Sequence, residues 1–567
     1  MDFEELVQVY EQLEKISSGN EIREILADFF KKVSKDDLKI VTYLTLGRIS
    51  PEYDSVVLGM ADKSVLKALA SASGIEIGKV NKLMQDLGDV GLAAEKVLQK
   101  KPRTLVPVGR LTIHELFEKL EKISQVTGTG SQDQKSNILI SLLQKTSSLG
   151  AKYVCRIVLG TLRMGVAEMT VLDSLAIAFT GDKQNKEVLE QAYNLCPDVG
   201  EIAEIIGKKG LKGMEKVEIK VGRPIKMMLA QRVQELEEVS EKISGELTVE
   251  AKYDGERIQA HKNSKEKITL FSRRLENITD QFPDLVEHLQ QGIKAKEFIL
   301  EGEVLAIDAE GNHLPFQTLM QRRRKYDVEE YIKKIPVRLK CFDLLYLNGK
   351  SVMNENYLQR SEELSKIVQK GKNLTLTEKI ITDDIEEVND FFQKMLKEKF
   401  EGVIIKSHQG EYLAGSRGWN WIKWKKDYVQ EMTDTLDLVI VGAYFGKGRR
   451  SGSYGALLCA CYDSVKDEFL TVCKLGTGLT DEMLEELPKK LNKYKLAKNS
   501  ARVVVKREME PDVWFTPELV VEVLGAEITK SPFHTAGLAL RFPRFVRLRD
   551  KKAEQATTKK ELESMGN

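Results

Sequence analysis

The hydrophobic period of this chain changes near residue 215, and that change limits the folds open to it. Before it, Phe3, Leu6, Val7, Tyr10, Leu13 and Ile16 recur at the three-and-four spacing of an amphipathic helix. The same spacing predicts helices at Thr112–Ile123, Ser136–Leu149 and Glu187–Ile206, separated by turns such as Lys101-Pro102-Arg103 and Leu149-Gly150. Residues 1–215 therefore read as an all-helical domain. The stretch Lys208-Lys209-Gly210-Leu211-Lys212-Gly213, with two glycines and three lysines, reads as a boundary.

After Val221-Gly222-Arg223-Pro224 the pattern becomes short β-branched runs, at Leu247–Tyr253, Ile268–Ser272, Phe298–Ile307, Val337–Leu347 and Gly402–Ser407, with helical segments between them. This predicts a mixed α+β domain over 216–428. From 429 to 567 strands dominate again: Asp437–Tyr444, Ala456–Tyr462, Phe469–Lys474, Ala501–Lys506 and Leu519–Leu524. Five short strands suit a small β-barrel of the oligonucleotide-binding (OB) type. A length of 567 residues accommodates such a multidomain chain.

Lys+Arg number 87 against 86 Asp+Glu, a formal charge of +1, so a polyanionic partner would have to be held by local basic surfaces rather than a global field. No run approaches the ~20 apolar residues of a membrane span, and Met1-Asp2-Phe3-Glu4-Glu5 is unlike a secretory signal. A soluble, cytoplasmic protein with no membrane partner is expected. The six cysteines form no C-x-x-C pair, which argues against a zinc site or a disulfide framework.

The residues with the most chemical content are Lys252-Tyr253-Asp254-Gly255-Glu256-Arg257. The Val, Thr and Tyr content of 247–253 suits a strand, and Asp254-Gly255 supplies a turn after it. Lys252 is thus expected at a strand end facing a cleft. An amine there can be a nucleophile, provided burial or neighbouring cations deprotonate it. On its own the hexamer also has an ordinary reading as a charged hairpin.

The hexamer resembles motif I of the covalent nucleotidyltransferases, which comprise ATP-dependent DNA ligases, RNA ligases and mRNA capping enzymes. Further motifs follow in that family's order. Arg273 in Phe271-Ser272-Arg273-Arg274 resembles motif Ia, Glu301-Gly302-Glu303-Val304 motif III, and Phe342-Asp343-Leu344 motif IIIa. Glu401-Gly402-Val403-Ile404-Ile405-Lys406 resembles motif IV, and Trp421–Tyr428 motif V. The resemblance implies that Lys252 takes a nucleotide covalently. It further implies that Glu250 reaches the adenine amino group, Phe342 stacks on the base, and Arg257 and Arg273 contact ribose and phosphate. Glu303 and Glu401 would ligate Mg²⁺, with Mn²⁺ as a substitute, and Lys423 and Lys425, on one side of a strand, would hold the α-phosphate.

The ending narrows the resemblance. Arg541–Lys552 carries many basic residues and is followed by Glu554-Gln555-Ala556-Thr557-Thr558; Trp514–Pro517 and Ser531–His534 precede it. This is similar to archaeal and eukaryotic replicative DNA ligases, as are Gly47–Tyr53 and Arg156–Gly165 in the helical front. The implied activity is ATP-dependent sealing of nicks in duplex DNA, in replication, repair and recombination, by a monomer; use of ADP or GTP stays open. Capping enzymes and most RNA ligases lack this front and ending, NAD⁺-dependent ligases carry a zinc module with no counterpart here, and a silent DNA clamp would not need Lys252, Glu303 and Lys425.

Arg549 of the family's final motif would orient pyrophosphate, but Asp550-Lys551-Lys552 departs from the usual Arg-x-Asp-Lys order, so either Lys551 or Lys552 could be the partner lysine. A sliding clamp is a partner of many archaeal relatives, yet the corresponding stretch Lys101–Val106 has no aromatic residue and no recognisable clamp peptide. The runs Arg322–Lys325 and Lys447–Arg450 read either as phosphate-gripping surfaces or as solubilising faces.

Overall fold

In a computed structural model, residues 1–16, 18–99, 110–162, 164–233, 235–322, 328–369, 371–425, 435–446, 453–525 and 527–565 are described. The chain divides into two compact units, Met1–Trp424 and Lys425–Asn567. The stretch Lys101–Val106, the run Lys447–Arg450 and residues Arg323–Lys325 lie outside the described residues.

The front of the first unit is helical. Its first helix, Phe3–Glu14, is closed by a capping box in which Asp2 and Glu5 satisfy each other's backbone N–H groups, and it buries Phe3, Leu6, Val7, Tyr10 and Leu13. Two expected helices are each split in two. The helix expected over Ser136–Leu149 ends at Lys145, and a new one runs over Ser148–Val158, so Leu149-Gly150 is inside a helix rather than at a turn. The Ser147 hydroxyl accepts from Gly150 N–H at 2.8 Å and starts that second helix. The helix expected over Glu187–Ile206 is divided into Lys186–Leu195 and Val199–Lys209, with Asp198 Oδ1 capping the second through Glu201 N–H at 3.0 Å. Periodicity carries across both breaks, which is why apolar spacing alone did not mark them. The expected boundary Lys208–Gly213 holds the end of one helix and the start of a short one, Leu211–Met214.

Two sheets follow. Their strands in chain order are β1 (Leu229–Arg232), β2 (Leu247–Lys252), β3 (Glu256–Lys262), β4 (Ile268–Ser272), β5 (Phe298–Ala306), β6 (Val337–Leu347), β7 (Lys350–Ser351), β8 (Leu374–Leu376), β9 (Lys379–Thr382), β10 (Gly402–Ser407) and β11 (Arg417–Lys425). One sheet has the order β1-β11-β10-β2-β9, the other β4-β3-β5-β6-β7 with β8 along β6. The link from β2 to β3 passes from one sheet to the other, so Lys252 stands where the two meet. The helix Tyr357–Ile367 is bolted to β6 by Arg360, which makes a forked pair with Asp343 at 2.8 and 3.1 Å, both side chains fully buried.

Arg322, expected on an exposed phosphate-gripping or solubilising face, is instead buried: its guanidinium forks onto Asp284 at 2.6 and 3.1 Å and donates to Ile335 O at 2.9 Å. A charge so paired supports the fold and contacts no solvent-borne phosphate.

The second unit is sheet-rich. Ten strands are described where five were expected: β12 (Leu436–Phe445), β13 (Tyr454–Asp463), β14 (Glu468–Leu475), β15 (Lys495–Leu496), β16 (Val503–Val504), β17 (Val513–Phe515), β18 (Val520–Leu524), β19 (Glu527–Lys530), β20 (Leu538–Arg541) and β21 (Arg544–Arg549). The order β15-β17-β12-β13-β14-β16 is extended by β18, which pairs with both β12 and β21. Most of the additional strands are short or studded with arginine and lysine, so they lack the β-branched runs that mark the others. Ala501–Lys506 contributes only Val503–Val504.

Candidate active site

Lys252 ends β2, and the turn at Asp254-Gly255 delivers the chain into β3. Glycine is needed there because a Cβ at residue 255 would lie 2.4 Å from Val304 O and 2.9 Å from Glu303 Cγ. The close approach brings the motif against β5. Across the other sheet Gly402 is the ladder partner of Lys252, so the preceding residue, Glu401, reaches the lysine, and Lys252 Nζ donates to Glu401 Oε2.

Glu303, opposite Arg257 in the β3–β5 ladder, is half-buried. Burial pushes its carboxyl up to about 7; Lys252 and Arg257 draw it down, and Glu401 adds to the rise. Two carboxylates therefore act on one lysine. No group of three His, Cys, Asp or Glu able to hold a metal occurs among the described residues. Glu303 and Glu401 nevertheless fit a divalent cation that takes its other oxygens from phosphates and water, and the burial that holds Glu303 near 7 is the kind of strain a cation relieves.

Glu250 is buried and held at both oxygens, by Lys406 Nζ at 2.8 Å and by the Tyr357 hydroxyl. Lys406 is itself buried, with Nζ 4.9 Å from the Phe342 ring centroid and 4.5 Å from those of Tyr357 and Trp421. Burial holds the Lys406 amine below its ordinary range, against the pull of Glu250.

Arg257 joins the same aromatic group, its guanidinium 5.4 Å from Phe342 and 5.1 Å from Trp421. It donates to Glu301 Oε2 at 2.6 Å and to Met228 O at 2.7 Å, while its buried Nε has no partner among the described residues. A buried orphan donor beside an aromatic cluster fits an oxygen-bearing ligand such as a nucleotide. Glu250, Lys252, Arg257, Glu303, Phe342 and Glu401 are thus brought together as expected.

The other expected site residues lie in the following places. Arg273 is exposed just past β4. Lys423 and Lys425 flank buried Trp424 on β11 and are half-buried. In the second unit Arg549 pairs with Glu522 at 3.2 Å and with Asp437 at 3.5 Å, Lys551 pairs with Asp437 at 2.6 Å, and Lys552 is exposed. Sequence reasoning gave no role to Glu301, Gln259, Lys406, Tyr357 or Tyr412. Lys406 was legible in principle: pairing β10 with β2 puts it on the same side as Ile404, opposite Glu250. Tyr357 and Tyr412 carry no local signal.

Residues 227–425 match the family described as ATP dependent DNA ligase domain, residues 2–176 the DNA ligase N terminus, and residues 450–552 the ATP dependent DNA ligase C terminal region. DNA ligase 2 of Thermofilum pendens is 46% identical over 582 residues, covering 99% of this chain and 96% of that protein. The chain belongs to the ATP-dependent DNA ligases. DNA ligase 1 of Methanosarcina acetivorans is 42% identical to this ligase, covering 99% of each chain. A solved structure called Pmar-Lig_Pre shares the ligase's fold with a TM-score of 0.57 at 18% identity, covering 96% of this chain and 99% of that one. The helical N-terminal part, the central two-sheet part and the sheet-rich C-terminal part of the ligase correspond to the three matched regions.

Proposed function

We propose that this ligase seals nicks in duplex DNA through a covalent AMP on Lys252. The observation that carries the reading is the placement of the Lys252 amine at the junction of two sheets, hydrogen-bonded to Glu401 and within electrostatic reach of Glu303. Lys252 Nζ attacks the α-phosphorus of ATP; a P–N bond forms as the bond to pyrophosphate breaks. The amine must lose a proton to do so, and Glu401 Oε2 is the acceptor already joined to it. The 5′-phosphate of the nick then displaces the lysine from phosphorus, and the 3′-hydroxyl finally displaces AMP. Each step is a substitution at phosphorus, so alignment and charge stabilisation dominate catalysis.

Glu250 and Phe342 recognise the adenine, Arg257 and Arg273 the ribose and phosphate, and Lys423 and Lys425 the α-phosphate. Glu303 and Glu401 would hold Mg²⁺, or Mn²⁺ in its place, and the cation would neutralise phosphate charge. Arg549, with Lys551 or Lys552, contacts pyrophosphate. The chain is divided into a helical DNA-binding domain (1–215), an adenylation domain (216–428) that carries Lys252, and an OB-fold domain (429–567). The ligase works as a cytoplasmic monomer on chromosomal nicks in replication, repair and recombination. A sliding clamp would need a contact other than an aromatic peptide at Lys101–Val106.

Incubation with α-labelled ATP, ADP, GTP or NAD⁺, followed by a denaturing gel, tests this. ATP labels the wild-type protein; ADP or GTP labels it only if the base and phosphate contacts tolerate them. Lys252→Ala reduces labelling at least ~10³-fold, since it removes the attacking amine. Label persisting on Lys252→Ala contradicts the assignment.

A further inference from the structure

The side chains of Gln259 and His261 follow Arg257 along the same face of β3, and each of their polar atoms is used. His261 Nδ1 accepts from Gly222 N–H at 3.0 Å, so the ring proton sits on Nε2 and is donated to Gln259 Oε1 at 2.9 Å. Burial pushes His261 down to about 3, which keeps this neutral tautomer. Gln259 Oε1 also accepts from Ile225 N–H at 2.8 Å. Its amide nitrogen donates to Ile225 O at 3.3 Å and to Glu301 Oε1 at 3.2 Å.

With two bonds accepted and two donated, the Gln259 amide has one permitted orientation. Glu301 in turn accepts from Tyr412 and Arg257, and Tyr412 also accepts from Met228 N–H at 2.9 Å while Arg257 donates to Met228 O. The segment Gly222–Met228 and the Arg257–Glu301 pair are therefore locked as one unit. Gln259 touches both halves, as Tyr412 does at the Met228 end.

We propose that Gln259 is a positioning residue for self-adenylation, aided by His261: it fixes Glu301 so that Glu301 holds Arg257 against Phe342 and Trp421, with the Arg257 Nε directed to the nucleotide. This rests on the assignment of the nucleotide site around Lys252. Gln259 touches neither substrate nor reacting atoms, so its effect falls on nucleotide affinity rather than on chemistry.

Self-adenylation is measured against ATP concentration at pH 8, normalised to the titrated fraction of active sites. Gln259→Met, which loses every bond, raises KM for ATP about tenfold and leaves kcat within about threefold. Gln259→Glu keeps the acceptor for Ile225 and His261 but sets a second carboxylate against Glu301, and raises KM further. A residue that merely supported the fold would lower the titrated fraction of active sites and leave KM for ATP of that fraction unchanged. His261→Phe, which cuts only the outer link, raises KM by less than Gln259→Met and serves if that variant folds poorly. KM unchanged in both Gln259→Met and His261→Phe overturns the proposal while Lys252→Ala remains unlabelled. Label on Lys252→Ala overturns the nucleotide site itself, and the proposal with it.

Discussion

Glu303→Gln melts higher than the parent at pH 8, matches it at pH 4, and adenylates itself about 10²–10³-fold more slowly. The stability gain follows from the raised carboxyl, lifted from 4.5 to about 7 chiefly by burial. Below pH 4.5 the group is protonated whether the chain is folded or not, so it costs nothing. As pH rises from 4.5 to 7 the unfolded chain releases the proton and the folded one retains it, and stability declines. Above 7 the whole difference is present, about 3 kcal/mol by linkage. Glutamine removes that cost together with the cation-holding oxygen. Melting curves of both proteins at pH 4 and pH 8 check it; equal curves at both pH values would show that Glu303 ionises as an ordinary carboxylate.

Lys406→Met destabilises the protein by about 3–5 kcal/mol, because it strands the Glu250 carboxylate in a buried site with only Tyr357 to satisfy it. Adding Glu250→Gln to that variant restores most of the loss, since a neutral amide needs no counter-cation. Urea unfolding of the two single variants and the double variant forms a mutant cycle whose coupling should exceed ~2 kcal/mol. Additive losses would mean the two side chains act independently. The double variant should still lose affinity for ATP, because Glu250 is assigned to the base as well as to Lys406.

The strands that build the site were legible because they are β-branched and end at turns: Ile268–Ser272, Val337–Leu347 and Gly402–Ser407 appear where the sequence puts them. Lys252, Glu303 and Glu401 could be singled out because each stands in a short run that resembles a motif of the family. Their supports could not be found that way. Tyr357 reaches Glu250 from a helix 107 residues along the chain, and Tyr412 reaches Glu301 from 111 residues away. Such contacts depend on sheet packing and leave no local pattern. Charge misled at Arg322, since a basic run looks the same whether its first member faces solvent or a buried Asp284.

The central claim is that the AMP is carried on Lys252, and mapping the modified residue tests it most directly. The ligase is incubated with ATP in the absence of DNA, digested, and its adenylated peptide sequenced by mass spectrometry. The account predicts a single AMP adduct on the Lys252 side chain, lost when nicked DNA is added. An adduct on another lysine, or one on Lys252 that persists after nicked DNA is supplied, would contradict it.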